Sequence, residues 1–109
     1  MKQPQGLLTV LRDPAATEDE RDDAAMDLDA FDEAEVEEAL ILAASDTLES
    51  RMVAASAGES VARIWARKGR IPTGVMARLR SDARIEAQSI LGALAPALSE
   101  EFSDDHDTS

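Results

Sequence analysis

The residues of this sequence that could do chemistry are almost all carboxylates. The chain has 23 aspartates and glutamates, one histidine and no cysteine. The histidine, His106, lies among acidic residues near the C-terminus, in a segment expected to be too loosely held to position a general base. Zinc sites and Ser-His-Asp catalysis need nitrogen or sulfur groups that such a composition does not supply. We therefore expect no catalytic residue, no metal site, no cofactor and no enzymatic activity.

Two short motifs approach the patterns of ion-binding or phosphate-binding loops without completing them. Asp27, Asp29, Asp32 and Glu33 have nearly the spacing of an EF-hand calcium loop, but the glycine of that loop is missing and the segment is typical of a helix. Residues 69–74, GRIPTG, hold two glycines without the spacing of a Walker motif. Neither motif predicts a bound calcium ion or nucleotide.

The charge is unevenly distributed along the chain. The formal net charge is −12, with −12 in residues 1–50, +6 in residues 51–84 and −6 in residues 85–109. A field of this sign repels nucleic acids and acidic membranes and attracts basic partners. The basic segment also lacks the aromatic residues that stack on bases, since the chain has no tyrosine and Trp65 falls on an apolar face. We expect neither nucleic acid nor a membrane as partner.

Two groups of charged residues are candidate interaction surfaces. The acids of residues 18–38 are expected to form a solvated face, the alternative being a docking face for a basic protein. The acidic group of that alternative consists of Asp19, Asp22, Asp23, Asp27, Glu33, Glu37 and Glu38. The basic group is expected to balance the acidic helices or the tail, or to meet an acidic neighbour in an oligomer. Its residues are Arg63, Arg67, Lys68, Arg70, Arg78 and Arg80.

Helical periodicity runs through the chain, and no segment alternates in the manner of a strand. The pattern predicts one all-α domain over residues 6–102, between a frayed N-terminus (1–5) and a disordered acidic tail (103–109). The expected helices cover residues 6–12, 18–31, 33–45, 46–68, 73–80 and 82–94, with a last turn from Pro96 to near Phe102. The residues expected to face inward are Leu7, Leu8, Leu11, Ala24, Ala25, Leu28, Phe31, Val36, Leu40, Ala43, Met52, Val53, Ala57, Val61, Ile64, Trp65, Val75, Met76, Leu79, Ile85, Ile90, Leu91 and Leu94, with Ala39, Ile41 or Leu42 widening the third face.

Local signals place the helix ends. Thr17 with Glu20, and Asp32 with Glu35, are typical of capping boxes, and Ser81 with Asp82 predicts the cap of the last long helix. Asp46 or Thr47 is expected to cap the central helix, and Gly69 to end it. Gly58 interrupts that helix, so either the helix tolerates it or a neighbouring helix crosses closely there.

A short motif recurs in the sequence. Arg21-Asp-Asp-Ala24-Ala25 is followed thirty residues later by Arg51-Met-Val-Ala54-Ala55, and Arg84-Ile-Glu-Ala87 follows in turn; Leu28 and Leu91 occupy matching positions, and each copy comes after a turn with an aspartate. Over residues 6–98 the chain resembles a short HEAT-like array of the lyase type, with about three helix pairs. The resemblance implies a binding scaffold and a ladder in which Arg21, Arg51 and Arg84 pair with turn aspartates. An irregular helical bundle is the alternative.

The leading functional hypothesis is a non-catalytic protein-binding module that docks through its acidic face. The charge pattern and size also resemble those of immunity proteins that neutralise a basic toxin. The alternatives are a structural protein that oligomerises, basic segment against acidic segment, and an accessory subunit of a lyase-like enzyme. We expect a cytoplasmic protein, monomeric or a small homo-oligomer, because the apolar segments are too short for a signal peptide or a membrane span.

Overall fold

The computed structural model describes residues 2–98, and every regular element within them is a helix. The helices are α1 (Gln5–Arg12), α2 (Glu18–Asp27), a 3₁₀ helix that continues it (Leu28–Ala30), α3 (Ala34–Ser45), α4 (Arg51–Lys68), α5 (Val75–Arg78) and α6 (Ser81–Leu94). Residues 96–98 are also helical, and the expected end of that helix near Phe102 lies outside the described residues, as does the tail 103–109. With no strand between residues 2 and 98, the predicted all-α class is confirmed.

Two helix ends form as their local sequence predicts. The Thr17 hydroxyl accepts a hydrogen bond from the backbone N–H of Glu20 at 3.1 Å, and the Glu20 carboxylate accepts one from the N–H of Thr17 at 2.9 Å. This reciprocal pair satisfies two amides that a helix start otherwise leaves open. Gly69 ends α4 with a φ of 77°, a left-handed conformation that costs glycine little.

The start predicted for α4 is wrong. Its N-cap is Ser50, whose Oγ accepts a hydrogen bond from the backbone N–H of Val53 at 3.2 Å, and neither Asp46 nor Thr47 caps it. Residues 46–50 instead form a separate turn, because the Asp46 carboxylate accepts the N–H of Leu48 at 2.8 Å. Short polar side chains often take a nearby amide in this way and so keep it out of a helix.

The other predicted caps also differ from the structure. The N-cap of α3 is Glu33, without a side-chain hydrogen bond, and that of α6 is Arg80. The carboxylates expected to cap are used elsewhere, since Asp32 binds Arg67 and Asp82 binds Arg80. The helix expected over 73–80 shortens to residues 75–78, between a left-handed Gly74 and an extended Leu79.

The helices form three successive pairs, α1 with α2, α3 with α4 and α5 with α6. The second helices of these pairs, α2, α4 and α6, lie side by side and run in the same direction. Helix α4 packs against α2, α3 and α6. Contacts between α2 and α4 advance together along both helices, from Asp22 with Ser56 to Ala25 with Ser60. On the other side of α4, Arg51 lies 3.7 Å from Asp82, near the start of both helices. Thus α2, α4 and α6 form a parallel row, and α3 and α5 return the chain between them.

Helices α4 and α6 approach each other closely at Gly58. A Cβ atom at this position would lie 2.5 Å from the carbonyl oxygen of Ala83, which belongs to the backbone of α6. Only a residue without a side chain fits at that distance, and this explains a glycine in the middle of an eighteen-residue helix. Of the two alternatives for Gly58, the structure has the second, a neighbouring helix that crosses closely.

The core lies between the parallel row and the returning helices, with Trp65 fully buried. Most of the predicted inward residues are buried, while Leu7, Phe31, Ala43 and Ile90 are partly buried against the core. Burial of this kind is the main stabilising contribution in a domain of this size. Of the three residues offered to widen the face of α3, Ala39 and Ile41 are buried and Leu42 is 57% exposed.

Three residues that were expected to face inward are exposed instead. Ile85 is 63%, Leu94 54% and Met52 44% exposed. Helix α6 buries the stripe of Ala83, Ala87 and Leu91, and Ile85 lies on the opposite side of the helix. Leu94 is the last residue of α6, and Met52 lies in the first turn of α4, so each has packed neighbours on one side only.

The repeated arginines do not form the expected ladder with turn aspartates. Arg21 and Arg84 occupy the fourth position of α2 and α6, and each donates from Nε to a carbonyl of the preceding helix, that of Leu11 at 3.1 Å and that of Met76 at 2.9 Å. Arg21 also binds Glu49, which is not an aspartate. Arg51 is the first residue of α4, and its side chain is 88% exposed. Its contact with Asp82, at 3.7 Å, is the only ion pair among residues 2–98 that joins one of the three arginines to a turn aspartate.

Candidate protein-interaction surface

The outer side of α2 presents a row of exposed carboxylates. Asp19, Asp23 and Asp27 follow each other at intervals of four residues, so they project from the same side of the helix. All three are exposed, and none forms an ion pair with a base of residues 2–98. Met26 lies beside them and is 46% exposed. We call these three aspartates the α2 carboxylate row.

Two members of the predicted acidic group serve the fold instead. The Asp22 carboxylate accepts a hydrogen bond from the Ser56 hydroxyl at 2.5 Å, which ties α2 to α4. The Glu37 carboxylate binds the Lys68 ammonium at 3.0 Å, and its side chain is only 15% exposed. Neither side chain is free to meet a partner.

The remaining members of the acidic group lie on the first turns of α3 and just before it. Glu33 and Glu38 are exposed and form no ion pair within the described chain. Their neighbour Glu35 binds Arg12 of α1 at 3.1 Å and also accepts from Gln5. The hydrogen bond from Arg12 is the main cause that holds the pKa of Glu35 below its usual value, and the bond from Gln5 acts in the same direction. The acidic group therefore reduces to the α2 carboxylate row with Glu33 and Glu38.

Most of the predicted basic group is engaged inside the molecule. The Arg67 guanidinium binds the Asp32 carboxylate at 2.6 Å and the carbonyl of Asp29 at 2.8 Å. Lys68 binds Glu37, as above, and Arg63 binds Glu59 at 3.1 Å. These cations lie in the last turns of α4, where they also interact favourably with the negative end of its dipole.

The other three bases of this group are spread over the α4–α6 connection. Arg80 binds both carboxylate oxygens of Asp82, at 2.8 and 2.9 Å, and donates to two carbonyls of the 46–50 turn. Arg70 and Arg78 are exposed and form no ion pair with residues 2–98. The six bases therefore do not act as one free basic patch.

The contacts of Asp82 lower the pKa of its carboxyl group. Burial alone raises the pKa of Asp82, but the hydrogen bonds from Arg80 and from the Ala83 amide, with the charges of Arg80 and Arg51, outweigh it. The net effect is a pKa below the usual aspartate value, so the carboxylate stays ionised into mildly acidic solution.

An open groove of about 410 Å³ lies at the C-terminal ends of the parallel row. Its lining residues are Asp29, Ala30, Arg63, Ala66, Arg67 and Leu94. The charged groups already bind each other across it, with Arg63 3.8 Å from Asp29. The groove therefore offers exposed Leu94 and two alanines to a ligand, and no free charge that would orient one.

Two of the four near-EF-hand acids have a structural role. Asp29 pairs with Arg63 at 3.8 Å and Asp32 with Arg67 at 2.6 Å. Among residues 2–98, no group of three histidine, cysteine or acidic side chains could hold a metal ion. His106 lies outside this range.

Sequence reasoning missed two residues, one in a long-range ion pair and one exposed on α2. Glu49 was not singled out, although it binds Arg21 and is among the least exposed carboxylates. Met26 was likewise passed over, because a single methionine among acids carries no periodic signal. The four-residue spacing of the α2 carboxylate row was the signal that could have separated Asp23 from Asp22.

Within residues 2–98, none of the helices has both the length and the apolar composition that crossing a membrane requires. Comparisons of the chain with protein-family models, with curated proteins and with solved structures gave no match.

Proposed function

We propose that this protein is a non-catalytic binding module that docks a basic protein through the α2 carboxylate row, with Glu33 and Glu38 as further contacts. One observation carries the proposal: the bases of the chain are largely used in internal ion pairs, while these carboxylates are exposed and form no ion pair with any of residues 2–98. Unpaired charges of one sign on one side of a helix speed the approach of a partner of opposite charge.

The proposal includes a short HEAT-like arrangement of three helix pairs. It is supported by the parallel row of α2, α4 and α6 and by the equivalent contacts of Arg21 and Arg84. The divergence of Arg51 argues for an irregular second unit. In such arrays a row of similar helices forms an extended surface suited to binding another protein.

Neutralisation of a basic toxin is the particular role that this surface fits best. A toxin that acts on nucleic acid has a positively charged active site, and exposed aspartates can cover such a site. A row of short aspartate side chains on a regular helix is also rigid, so little side-chain entropy is lost on binding.

The test is affinity purification of the tagged protein from the lysate of its own source at low and high salt, with identification of the bound proteins by mass spectrometry. Replacement of Asp19, Asp23 and Asp27 by Lys is expected to abolish the capture of a basic partner that high salt releases. The matched control reverses Glu100, Glu101 and Asp104 to Lys, which changes the net charge equally in another part of the chain. If both variants lost capture of the partner equally, the effect would be one of net charge alone. If the variant with Lys at 19, 23 and 27 still captured the partner fully, the docking face would be refuted.

Asp22 and Glu37 are left unchanged in this design. Their reversal would remove the contacts with Ser56 and Lys68 and damage the fold, so a loss of binding would not be informative.

A further inference from the structure

The groove at the C-terminal ends of the parallel row lies where the chain leaves its last long helix. Leu94, which lines the groove, is the final residue of α6 and is 54% exposed. Ala30 and Ala66 supply the rest of the apolar lining. Such a groove gains free energy when another apolar side chain removes these groups from water.

The chain changes direction after Leu94, and the segment that follows has one covered side. Ala95 ends α6 with a φ of −147° and a ψ of 62°, and residues 96–98 form a new helical turn. Within that turn Leu98 is partly buried, although its neighbour Ala97 is exposed. The segment after α6 therefore does not simply project into water.

Phe102 extends this apolar pattern along the sequence. It comes four residues after Leu98, as Leu98 comes four residues after Leu94, and the other residues of 99–109 are polar or charged. In a helix, side chains four residues apart project from the same side. The spacing therefore assigns Phe102 to the side on which Leu98 is covered.

We propose that the segment 99–109 covers the groove, with the Phe102 ring packed on Leu94, Ala30 and Ala66. The connection is long enough, because the eight residues from Leu94 to Phe102 can span up to about 26 Å. It is also short enough to hold the ring at an effective concentration on the order of millimolar. A tethered ring needs no free charge to orient it.

Charge favours this occupant over a second copy of the chain. The rim arginines, Arg63 and Arg67, keep 39% and 43% of their side-chain surfaces exposed despite their ion pairs. The sequence on both sides of Phe102 is acidic, so it brings carboxylates toward these bases. A second copy would instead bring a net charge of −12 to a molecule of the same charge.

The first test measures which residues the segment meets. Because the chain has no cysteine, Ser103→Cys with Ala30→Cys places one thiol beside Phe102 and one in the groove. The matched control combines Ser103→Cys with Gly92→Cys. Gly92 is exposed, lies closer to residue 103 in sequence, and projects from α6 on the side opposite to Leu94.

Under mild oxidation we expect the intramolecular disulfide to form at least about tenfold faster in the Ala30→Cys pair, as followed by mass spectrometry. Equal rates, or a faster reaction of the Gly92→Cys pair, would overturn the proposal, because a loose segment closes the shorter loop more readily. A product that is mainly a disulfide-linked dimer would assign the groove to a second copy and would also overturn it.

The second test needs no cysteine. We expect Leu94→Ala to lower the urea midpoint of the parent chain and to have less than half that effect when Phe102→Ala is already present, because both changes remove the same contact. Ile85→Ala, at another exposed site of α6, is the control and should shift the midpoint equally in both backgrounds. Equal shifts for Leu94→Ala, or none in the parent, would overturn the contact. The α2 carboxylate row takes no part in either test, so neither result depends on the proposed docking function.

Discussion

Arg21 and Glu49 form a two-pronged ion pair that joins α2 to the 46–50 turn. Nη1 of Arg21 donates to Oε1 of Glu49 at 2.9 Å, and Nη2 donates to Oε2. Both side chains are largely covered, with 20% and 8% of their surface exposed. The hydrogen bond to Glu49 raises the pKa of Arg21 although burial opposes the change. Of the ion pairs described here, this one is the least accessible to water.

Glu49→Gln is therefore expected to lower the free energy of unfolding by about 1–3 kcal/mol, because it leaves a covered guanidinium without its counter-charge. Urea denaturation measures the change. The matched control is Glu35→Gln, which breaks the exposed pair with Arg12 and should barely move the unfolding midpoint. Equal small shifts in the two variants would show that Glu49 contributes no more than a surface pair.

Gly58→Ala should destabilise the protein by roughly 1–3 kcal/mol, even though alanine favours the helix by about 1 kcal/mol. The reason is that the new methyl group would lie 2.5 Å from the carbonyl oxygen of Ala83, which belongs to a helix backbone. Gly92→Ala makes the same chemical change in α6 with open space around it and should stabilise by up to about 1 kcal/mol. Thermal unfolding of both variants would show opposite signs; a stabilised Gly58→Ala would contradict the close crossing.

Trp65→Ala is expected to cost about 3–5 kcal/mol, since the side chain is fully buried in the core. Trp65→Phe should cost clearly less. The indole Nε1 has no hydrogen-bond partner in the described part of the chain, so the phenyl ring removes volume without breaking a bond. Chemical denaturation followed by circular dichroism compares the two variants. If Trp65→Ala barely moved the midpoint, the burial of Trp65 would be refuted.

Stability should fall in acid partly through Asp82. Its folded pKa lies below the usual aspartate value of about 3.9, so its contribution is complete above that value. The contribution is lost as the pH falls further, through the folded pKa, because the unfolded chain then binds the proton more readily. Asp82→Asn should be less stable than the parent near neutral pH and lose less stability in acid. Parallel pH profiles of the two proteins would disprove this role.

The α2 carboxylate row should not be needed for folding. Asp19, Asp23 and Asp27 repel each other at four-residue intervals, so Asp23→Lys replaces two like-charge contacts by two favourable ones of roughly 0.2–0.5 kcal/mol each. We expect the melting temperature to rise at low salt and the gain to shrink at high salt. A clear loss of stability would mean that Asp23 serves the fold, and would weaken the case for a docking surface.

The features that could be predicted from the sequence depend on neighbouring residues. The capping box of Thr17 and Glu20 and the left-handed Gly69 form from atoms a few residues apart, so their sequence determines them. Burial of Trp65 follows from the apolar periodicity of α4, the helix that has packed neighbours on most sides.

The features that could not be predicted depend on which elements meet. Ile85 has the spacing of a core residue, but α6 is the last helix of the row and buries only the stripe that faces α4. Asp22 and Asp23 are adjacent and chemically identical, yet one turns toward Ser56 and the other toward solvent. The partner of Arg21 is Glu49 rather than Asp46, because the local turn already uses the Asp46 carboxylate.

The 46–50 turn has a consequence for how the chain opens. Arg21 holds it from α2, and Arg80 holds it from the start of α6 through the carbonyls of Asp46 and Glu49, at 2.9 and 2.8 Å. Long repeat arrays can open from their ends one unit at a time, but here the first and last helix pairs are fastened to the same surface loop. Opening either pair disrupts the loop that holds the other. We therefore expect the three pairs to open as a single cooperative unit, in which amide hydrogens of α2, α4 and α6 exchange with solvent through one common opening event.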